Sequence, residues 1–595
     1  MAAPRALLTL PQDGHVHANF RGALYARGMT HDDGHLIATM MEIVAVDVSV
    51  DSIRRHFARL LVHSAPQDAR ALFHQFAADM CDGDPRNADV VRAALGAIEV
   101  LMSEMGRTLT HADYGFELAD MPDAQDDGYV GFVRRARRRL PSALSIDNAT
   151  VERDRLVAML NVEQRTGYDT VMAAIGSQRA CNIFAVLSSA GCGKTVFANA
   201  VASTVRASGS TAVCVAASAL AAMLLLGGTT AHSRFHIPIP ANDGTICCFS
   251  VDDKNLLRSA DVILYDECSM VHHDVADTLE RSLRDLMGDP RPFGGKVIVF
   301  MGDFKQLLPV VRYGRGQEHT MQVCSWWRDV TRLRFTQNWR AISDPIFAAF
   351  LESVGSGELP EVVVPEQSRV ADVDSLISIV YGDSATIMKH QILALTLETA
   401  STVNTACLRK WPGVLDERFA SDTYVDCRDP DSFPHEYIES LAMPGAPPFA
   451  LGLKIGAKYM CIRNIDVSRG LANGTMMQLL QVGQRFLQFR LTSGSHAGAV
   501  ELLIPIVFHI TSEASGLPFA VERRQFPVIP AFCLSVHKAQ GQSLDFVGLI
   551  FETDPFAHGQ LYVALSRAGS WDKIRVVLSA GAVILKNLVY QHLLQ

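Results

Sequence analysis

Hydrophobic positions in the middle of the chain form continuous runs of strand length, separated by segments of helical periodicity. The runs are "NIFAVLSS", "DVILYDECSM" and "KVIVFMGDFKQLLPVV", and the first is followed by "KTVFANAVASTVRASG", whose helical spacing stops near Gly209. Strands without polar alternation are typical of a parallel sheet whose two faces are both covered by helices. We therefore predict an α/β fold for this region.

The pattern differs on either side of this region. Residues 1 to about 150 include "DARALFHQFAADM" and "DVVRAALGAIEVLMSEM", whose helical spacing predicts a mainly helical accessory region. From about Gln481 to Arg524, the alternation in "RFLQFRLTSG" and "AVELLIPIVFHI" predicts a small β-rich insertion. Between Phe235 and Ala260 the chain is poor in strand signals. The chain is thus predicted to contain several structural units.

Composition narrows the class of protein. A chain of 595 residues with 48% hydrophobic and 20% charged residues is typical of a folded, multidomain protein. The net charge of −9 excludes a basic coat over the whole surface, although it permits a local basic channel for nucleic acid. The longest nearly apolar run, Ala216–Leu226, is about half the length of a bilayer span, so we expect no membrane partner.

Cysteines and a basic run bear on the cellular compartment. The 12 cysteines form no paired CxxC framework, and Cys247 and Cys248 are adjacent, so we expect an intracellular, reducing compartment and no structural metal. The run "RRARRR", Arg134 to Arg139, is equally compatible with nuclear import, a DNA-contacting arm or a solvated linker. We favour the nucleus, with the mitochondrion or a viral replication site as alternatives.

The segment "SSAGCGKT", Ser188 to Thr195, lies between a predicted strand and a predicted helix, as a phosphate-binding loop does. Lys194 is expected to reach the β- and γ-phosphates, and the Thr195 hydroxyl to take a place on Mg²⁺. Ser188 stands where this pattern usually opens with glycine, but it occupies only the entry turn. The groups expected to wrap the phosphates are those of Ser189, Ala190, Gly191, Cys192 and Gly193.

Two further strand ends carry polar side chains that belong with such a loop. Asp266 and Glu267 follow an apolar strand, where the first carboxylate holds Mg²⁺ and the second activates the attacking water. Asp303 and Gln306 follow another strand, and the Gln306 amide can sense the γ-phosphate. Since carboxyl ends of parallel strands share one edge, these groups are predicted to converge on one nucleotide.

The motifs "LNVEQ", "SSAGCGKT", "GGTTAHSRF", "YDECSM", "GDFKQLLPV", "NWR", "NGT", "SVHKAQGQSLD" and "GQLYVALSRA" occur in this order. In this the chain resembles the petite-integration-frequency (PIF-type) helicases, a RecD-like branch of helicase superfamily one, from about Leu160 to about Val577. The resemblance implies two RecA-like P-loop NTPase motor domains with ATP between them. The first would span 151–335 with a wedge insertion at about 236–260, and the second 336–595 with an SH3-like insertion at about 481–524.

The resemblance also implies further nucleotide contacts. Gln164 would read adenine, with a surface glutamine at a helix start as the alternative. Arg340 and Arg567 would meet the γ-phosphate from the second motor domain, with salt-bridged structural arginines as the alternative. Gly541, in "SVHKAQGQS", would also contribute to nucleotide binding.

DNA contacts are implied by three of these motifs and by a further segment that resembles the family, "LALTLETASTVN", although Phe235 could equally belong to the core. Their residues are Thr230, His232 and Phe235; Thr396 and Asn404; Asn473 and Thr475; and His537, Lys538 and Gln540.

The predicted function is that of an ATP-dependent 5′-to-3′ DNA helicase using ATP and Mg²⁺. It would translocate on single-stranded DNA and unwind tailed or structured duplexes in replication, repair or recombination. Replication or repair proteins would be recruited through the N-terminal region. The alternative is an ATPase stimulated by single-stranded DNA that remodels protein–DNA complexes without processive unwinding, which the shortness of the two predicted insertions favours.

Overall fold

The computed structural model describes residues 33–46, 49–64, 66–110, 114–117, 120, 146–175, 177, 182–309, 316–382, 387–425, 427, 433, 435–494 and 496–594. The arginine run at 134–139 lies outside these ranges, so its three interpretations stay predictions. The chain divides into two compact units, and each combines segments that are distant in sequence. One unit takes Met1–Leu140 with Trp411–Pro530, and the other takes Pro141–Lys410 with Ala531–Gln595.

Helices and strands are numbered along the chain. The first described segment contains α1 (Gly34–Val46), α2 (Val50–Ser64), α3 (Ala69–Gln75), α4 (Ala77–Met80) and α5 (Ala88–Glu104). The segment 146–410 contains α6 (Ile146–Ala158), α7 (Val162–Ala174), β1 (Ile183–Leu187), α8 (Lys194–Ala207), β2 (Thr211–Ala216), α9 (Ala219–Ala222), β3 (Thr229–Thr230), α10 (Ala231–Phe235), α11 (Val251–Ser259), β4 (Ala260–Asp266), α12 (His273–Met287), β5 (Val297–Gly302), β6 (Thr331–Leu333), α13 (Pro345–Ser356), β7 (Glu361–Val363), β8 (Arg369–Val370), α14 (Val373–Tyr381), β9 (His390–Ala394) and α15 (Leu397–Lys410).

The segment 411–530 contains β10 (Asp416–Phe419), β11 (Ser421–Val425), α16 (His435–Ser440), β12 (Ala450–Leu453), β13 (Lys458–Cys461), β14 (Met476–Val482), β15 (Leu487–Leu491), β16 (Val500–Leu503), β17 (Ile506–Ile510), α17 (Ser512–Ser515), β18 (Ala520–Gln525) and β19 (Val528–Pro530). The last segment contains β20 (Cys533–Ser535), β21 (Phe546–Phe551), α18 (Gln560–Leu565), β22 (Ile574–Leu578) and β23 (Ile584–Lys586).

The unit of 141–410 and 531–595 is built on two parallel sheets. The first has the order β3-β2-β4-β5-β1-β6 and the second the order β20-β9-β21-β22-β8. In β1, Phe184 and Val186 face one hydrophobic cluster, while Ile183 and Ala185 face another. Burial on both faces is the reason that the sequence shows no polar alternation there. The predicted α/β class is confirmed.

The other unit combines helices with antiparallel strands. Its sheets have the orders β16-β15-β14-β13-β19, β11-β18-β17 and β10-β12. The predicted insertion at 481–524 was too short, because the strands of this unit extend over β10–β19. One of the earlier strands, β13, shows no alternation because it is buried at all four positions.

Within this unit the N-terminal helices pack on the antiparallel strands. Ile504 lies in the same hydrophobic cluster as the helical core residues Phe57 and Phe73. Arg59 of α2 is buried, and its guanidinium contacts carboxylate oxygens of Asp466 and Glu501, each at 2.9 Å. The helical region is thus anchored through hydrophobic contact and through a buried ion-pair network.

The segment predicted as a wedge, at about 236–260, has no strand before β4 begins at Ala260. Its second half is α11, which starts at a capping box formed by Ser250 and Asp253. Among the residues that the structure describes, no helix combines the length and apolar character needed to cross a membrane.

Candidate active site

The segment Ser188 to Thr195 connects β1 with the N-terminus of α8. Gly191 and Gly193 have φ values of 84° and 76°, a region that side chains with a Cβ rarely adopt. Lys194 folds back over the loop, and its Nζ donates to the carbonyl oxygens of Ser188 at 2.7 Å and Ser189 at 3.1 Å. The loop therefore has the curled backbone and the central cation that bind phosphates at a helix N-terminus.

Ser188 has a structural partner that accounts for its place in the loop. Its hydroxyl oxygen accepts a hydrogen bond from the backbone N–H of Phe335 at 2.8 Å, and the residue is buried. Phe335 follows β6, so this bond ties the exit of β1 to the neighbouring strand. Glycine would leave the Phe335 N–H without this acceptor.

Asp266 is the last residue of β4, and Glu267, which follows it, has an unusual backbone conformation. Glu267 has φ 54° and ψ 42°, a left-handed geometry that is strained for a residue other than glycine. Its N–H donates to Asp266 Oδ1 at 2.8 Å, while its own Oε2 is buried and has no hydrogen-bond partner among the described residues. Burial and then the charge of Asp266 raise the pKa of Glu267 to about 7. A carboxyl with this pKa can accept a proton near neutral pH.

Asp303, Gln306 and Tyr562 form a buried hydrogen-bonded group beside the loop. Asp303 Oδ2 accepts from Gln306 Nε2 at 3.0 Å and from the Tyr562 hydroxyl at 3.1 Å. The Tyr562 oxygen in turn accepts from the N–H of Ala190 at 3.0 Å. Gln306 Oε1 is buried without a partner among the described residues. Tyr562 was not among the predicted site residues, although it lies in the motif "GQLYVALSRA".

A second group that the sequence did not indicate surrounds Ser189. Its hydroxyl donates to Glu352 of α13 at 2.9 Å and accepts from Lys305 Nζ at 3.1 Å. Lys305 also forms an ion pair with Glu352. Lys305 lies in the motif "GDFKQLLPV", but Glu352 lies 47 residues further along the chain and outside every quoted motif, so the sequence did not connect the two.

Arg340 and Arg567 are held by neutral oxygen atoms. Arg340 donates to Ser566 O at 2.7 Å and to Ser543 Oγ at 2.6 Å. Arg567 is 1% exposed and donates to the carbonyl oxygens of Val563, Ala539 and Gln542. Neither forms a salt bridge with a described carboxylate, so the alternative of salt-bridged structural arginines finds no support here.

Burial and then the nearby charge of Arg340 lower the pKa of Arg567 to about 9, which leaves it a cation at neutral pH. The charges of Lys194 and Arg567 also act on Glu267 and oppose the rise in its pKa. The predicted cations and the buried carboxyl therefore belong to one electrostatic cluster.

Gln164 is buried rather than on the surface, with 2% of its area exposed. Its side-chain oxygen accepts from Asn161 N in a capping box at the start of α7, and its Nε2 donates to Cys192 O at 3.0 Å. The alternative of a surface glutamine at a helix start is therefore right about the helix start and wrong about the surface. Its role in reading adenine stays a prediction, and its amide is already bonded to the phosphate loop.

Gln540 and Gly541 lie close to the acidic pair. Gln540 is 8% exposed, and both polar atoms of its amide are buried without a partner in the described structure. Gly541 has φ 80°, and a Cβ built there would lie 3.7 Å from Glu267 Oε1. The neighbouring side chains of His537 and Lys538 are half-buried and exposed, respectively, and burial lowers the pKa of both.

Three of the predicted DNA contacts must be corrected. Phe235 is fully buried in the hydrophobic core, so it is not available to stack on a base. Asn404 is buried, and its amide donates to Cys533 O at 2.9 Å and accepts from Cys533 N at 2.8 Å. Thr475 is fully buried and donates to Gly470 O at 2.8 Å. These side chains stabilise local structure instead.

Apart from the buried Gln540, the other predicted DNA contacts are at least partly accessible to solvent. Thr396 and Asn473 are exposed, and Thr230 and His232 are half-buried. Thr230 and Thr396 also cap helices, since each hydroxyl accepts a backbone N–H three residues later. Their roles in binding DNA stay predictions.

The residues predicted to hold Mg²⁺ offer the oxygen donors that this ion prefers. Thr195 lies in the first turn of α8, and the Asp266 carboxylate is buried at the end of β4. Burial raises the pKa of Asp266, and the nearby charge of Lys194 opposes this rise. The neighbouring Glu267 has a buried Oε2 with no hydrogen-bond partner among the described residues. This donor set fits a hard divalent cation.

Comparison with known proteins agrees with this geometry. The family model for the PIF1-like helicase matches residues 159–363, and that for the 2B domain of DNA helicase Pif1 matches residues 436–482. The ATP-dependent DNA helicase PIF1 of Homo sapiens is 29% identical over 405 residues, which cover 65% of this chain and 57% of the relative. The Mus musculus protein is 30% identical over 400 residues, covering 65% and 56%. The chain thus spans just over half the length of these relatives.

Solved structures of similar fold include Bacteroides Pif1 bound to single-stranded DNA. It has a TM-score of 0.53 at 22% identity, covering 71% of this chain and 93% of that one. Pif1 helicase from Candida albicans has a TM-score of 0.52 at 24% identity, covering 70% and 94%. The predicted RecA-like architecture is therefore confirmed. By its family-model matches and its related sequences, this chain is similar to the PIF1-like helicases, and it shares the fold of the solved Pif1 structures.

Proposed function

We propose that this protein is an ATP-dependent DNA helicase that moves 5′ to 3′ on single-stranded DNA and separates duplexes. The observation that carries the proposal is the environment of Glu267. A strained, buried carboxyl lies within electrostatic range of Lys194 and Arg567. Its unpartnered oxygen and its pKa of about 7 suit it to receive a proton from water. The similarity to ATP-dependent DNA helicases of the PIF1 family supports this activity.

Hydrolysis would use groups that are already positioned. Lys194 would exchange its bonds to Ser188 O and Ser189 O for bonds to phosphate. Arg340 and Arg567 would meet the negative charge of the phosphates, because guanidinium groups stay protonated and carry several donors. When bound by Thr195 and Asp266, Mg²⁺ would neutralise charge on the phosphate oxygens.

Gln540 would couple nucleic acid to nucleotide. Its unpartnered amide lies in the segment His537 to Gly541, whose last residue approaches Glu267. Lys538 in the same segment is exposed and cationic, as a phosphate contact requires. A rearrangement of this short segment on DNA binding would therefore change the surroundings of the Glu267 carboxyl. The similar Bacteroides Pif1 was solved bound to single-stranded DNA, which supports DNA as the partner here.

The test is strand separation on two substrates that differ only in the polarity of the single-stranded tail. We expect unwinding of the 5′-tailed duplex and not of the 3′-tailed one, together with ATP hydrolysis that rises when single-stranded DNA is added. Glu267→Gln is the matched control, since it keeps the shape of the side chain and removes the proton acceptor. Unwinding from the 3′ tail alone would contradict the polarity.

The second candidate is an ATPase that remodels protein–DNA complexes without processive unwinding. It would show DNA-stimulated hydrolysis and release of a protein bound to the tail, but no separation of either duplex. This alternative was favoured by the shortness of the predicted insertions. The 411–530 segment is longer than the predicted insertion and contains strands β10–β19, which weakens that argument. Recruitment of replication or repair proteins through the N-terminal helices remains part of either proposal.

A further inference from the structure

Three histidines outside the nucleotide site form a compact cluster. His272 and His273 begin α12, and His319 lies in a short turn about 45 residues later in the chain. The ring of His272 stacks on those of His273 and His319, with centroids 4.5 Å and 4.8 Å apart. One ligand atom from each residue lies within 4.8 Å of the others. All three are partly accessible to solvent.

The fold places these residues together through backbone structure. His272 and Thr320 form an antiparallel bridge, which sets His319 beside the start of α12. His272 Nε2 and His319 Nδ1 are 3.0 Å apart. The cluster therefore does not depend on one flexible side chain reaching across a gap.

Asp274 occupies the position of an outer carboxylate. Its oxygens lie 3.4 Å from His272 Nδ1 and 3.3 Å from His273 Nδ1. At His273, a carboxylate beside Nδ1 favours the tautomer that carries its proton there, which leaves Nε2 with a lone pair. His272 Nδ1 instead accepts the N–H of Asp274, so binding a metal through His272 Nε2 would move the proton to Nδ1 and break that bond. Histidines that bind metals commonly have such an outer partner.

A purely structural role explains only part of this arrangement. His272 Nδ1 accepts the N–H of Asp274 and so caps α12, which accounts for one histidine. Capping does not require His273 or His319. Three imidazoles in contact cannot all be protonated without strong repulsion, whereas neutral imidazoles offer lone pairs to a shared cation.

We propose that His272, His273 and His319 bind one divalent transition-metal ion, with Zn²⁺ as the best match. Imidazole nitrogen suits Zn²⁺, whereas Mg²⁺ and Ca²⁺ take oxygen ligands. Tetrahedral binding at about 2.0–2.1 Å would place the three nitrogens roughly 3.3 Å apart. The ring planes are now 10° to 29° apart, so the rings would rotate out of their stack to direct their in-plane lone pairs at one ion. A fourth position would be left for water. The cysteine pattern gave no sign of such a site because no cysteine takes part.

The ion would join two segments that carry predicted nucleotide contacts. His272 follows Glu267 by five residues, and His319 follows Gln306 by 13 residues. Binding would therefore fasten the chain downstream of one strand end to the chain downstream of another. We expect it to stabilise this part of the fold rather than to take part in hydrolysis.

The test measures Zn²⁺ bound by the full-length protein after removal of any affinity tag. The protein is stripped with a chelator, dialysed against Zn²⁺, and its metal content measured by mass spectrometry. We expect about one ion per chain and a rise in the melting temperature on adding Zn²⁺. Replacing His273 and His319 together by Ala should abolish both, while leaving the helix cap at His272 intact.

Three further variants keep the test decisive. Asp274→Asn should weaken Zn²⁺ binding by about 10- to 100-fold, as loss of an outer partner does. His509→Ala removes an exposed histidine on β17, and Cys248→Ser removes an exposed thiol, so both should bind Zn²⁺ like the parent. Absence of stoichiometric binding by the parent would overturn the proposal. Binding that survives the His273 and His319 double replacement would overturn it as well.

Discussion

Arg59 and Arg567 are two of the three arginines that are almost completely buried in the described part of the chain, and their partners differ. Arg59, in the unit formed by the N-terminal helices and 411–530, contacts the carboxylates of Asp466 and Glu501. Arg567, in the unit that contains the nucleotide site, contacts only carbonyl and hydroxyl oxygens. Both side chains have the same formal charge and similar burial.

The difference separates an arginine whose charge is already neutralised from one whose charge is still available. Removing a cation from a buried ion pair leaves uncompensated carboxylates, so Arg59 is expected to serve stability. A buried guanidinium without a carboxylate can meet a ligand anion at little cost in rearrangement, so Arg567 is expected to serve chemistry. Burial alone therefore does not distinguish the two roles, whereas the partners do.

Arg567→Ala should have the largest effect on activity. Arginines that meet the transferring phosphoryl group contribute about 10³ to 10⁵ in turnover, so we expect kcat for DNA-stimulated ATP hydrolysis to fall by at least about 10³. ATP and DNA should still bind, because Lys194 and the surface residues are unchanged. The measurement is steady-state hydrolysis at saturating single-stranded DNA, with nucleotide binding followed separately.

Arg567→Lys and Lys194→Ala are the matched controls for this result. The lysine variant keeps the charge but loses the planar fork, so its activity should remain well below that of the parent. Lys194→Ala should instead weaken nucleotide binding itself. Full DNA-stimulated turnover by Arg567→Ala would remove this arginine from the catalytic group.

Arg59→Met should have the largest effect on stability. The substitution removes one of two cations from each carboxylate, since Asp466 keeps Arg55 and Glu501 keeps Arg469. The cost should therefore lie below the roughly 3–5 kcal/mol of a buried charge left with no partner. The check is urea unfolding followed with a probe of the antiparallel strands, since a two-unit protein need not unfold in one step. Molecules that remain folded should keep their ATP turnover.

Arg86→Met is the control, because this arginine is 91% exposed and pairs with Asp84. Exposed pairs contribute little to stability, so unfolding should shift far less than in Arg59→Met. Equal unfolding curves for the two variants would contradict the assignment of Arg59 as a structural anchor.

The two regions also differ in how far the sequence could predict them. The nucleotide site lies at strand ends that are themselves marked by continuous apolar runs, so Asp266, Glu267 and Gln306 were found from local patterns. The contact of Arg59 with Asp466 spans 407 positions in the sequence, and nothing local to either residue indicates the other. Such contacts depend on the packing of the whole unit.

Errors within the nucleotide-site unit have a related cause. The pattern around Asn404 is compatible with an exposed polar side chain, yet its amide bonds both backbone groups of Cys533 on β20. Phe235 closes a five-residue helix and turns into the core. A sequence motif gives the type of side chain and its place in the chain, but not the direction in which that side chain points.

In the nucleotide site, the rate of ATP hydrolysis should change about tenfold with pH. Burial and then the charge of Asp266 raise the pKa of Glu267 to about 7, and a proton acceptor must be deprotonated. Hydrolysis should therefore rise about tenfold between pH 6 and pH 8, where the deprotonated fraction grows from roughly one eleventh to roughly ten elevenths. A flat profile for single-turnover hydrolysis would contradict this role.

Stability in the other unit should respond at much lower pH. Burial opposes ionisation of Asp466, but the charges of Arg59 and Arg55 outweigh it and lower the pKa to about 2. Because this folded value lies below the ordinary value of 3.8, the carboxylate stabilises the fold above about pH 4. That contribution should be lost as the pH falls from about 4 to about 2. The Arg59→Met protein should show a weaker dependence across the same window in acid unfolding.

Ser188→Gly should have the smallest effect. The Ser188 hydroxyl lies in the nucleotide site but already has a hydrogen-bond partner within the protein, so the substitution tests whether it affects stability, as Arg59 does, rather than turnover. The Ser188 hydroxyl accepts the buried N–H of Phe335, so its loss should destabilise the fold by about 1 kcal/mol. Turnover should be nearly unchanged, because Lys194, Glu267 and the two arginines keep their partners. Thermal unfolding and ATP hydrolysis of the same preparation measure both quantities, with Ser208→Gly as a control at a helix end. A large loss of turnover at unchanged stability would mean that Ser188 acts on the nucleotide, and that hydrogen-bond partners are not sufficient to separate structural from chemical roles in this loop.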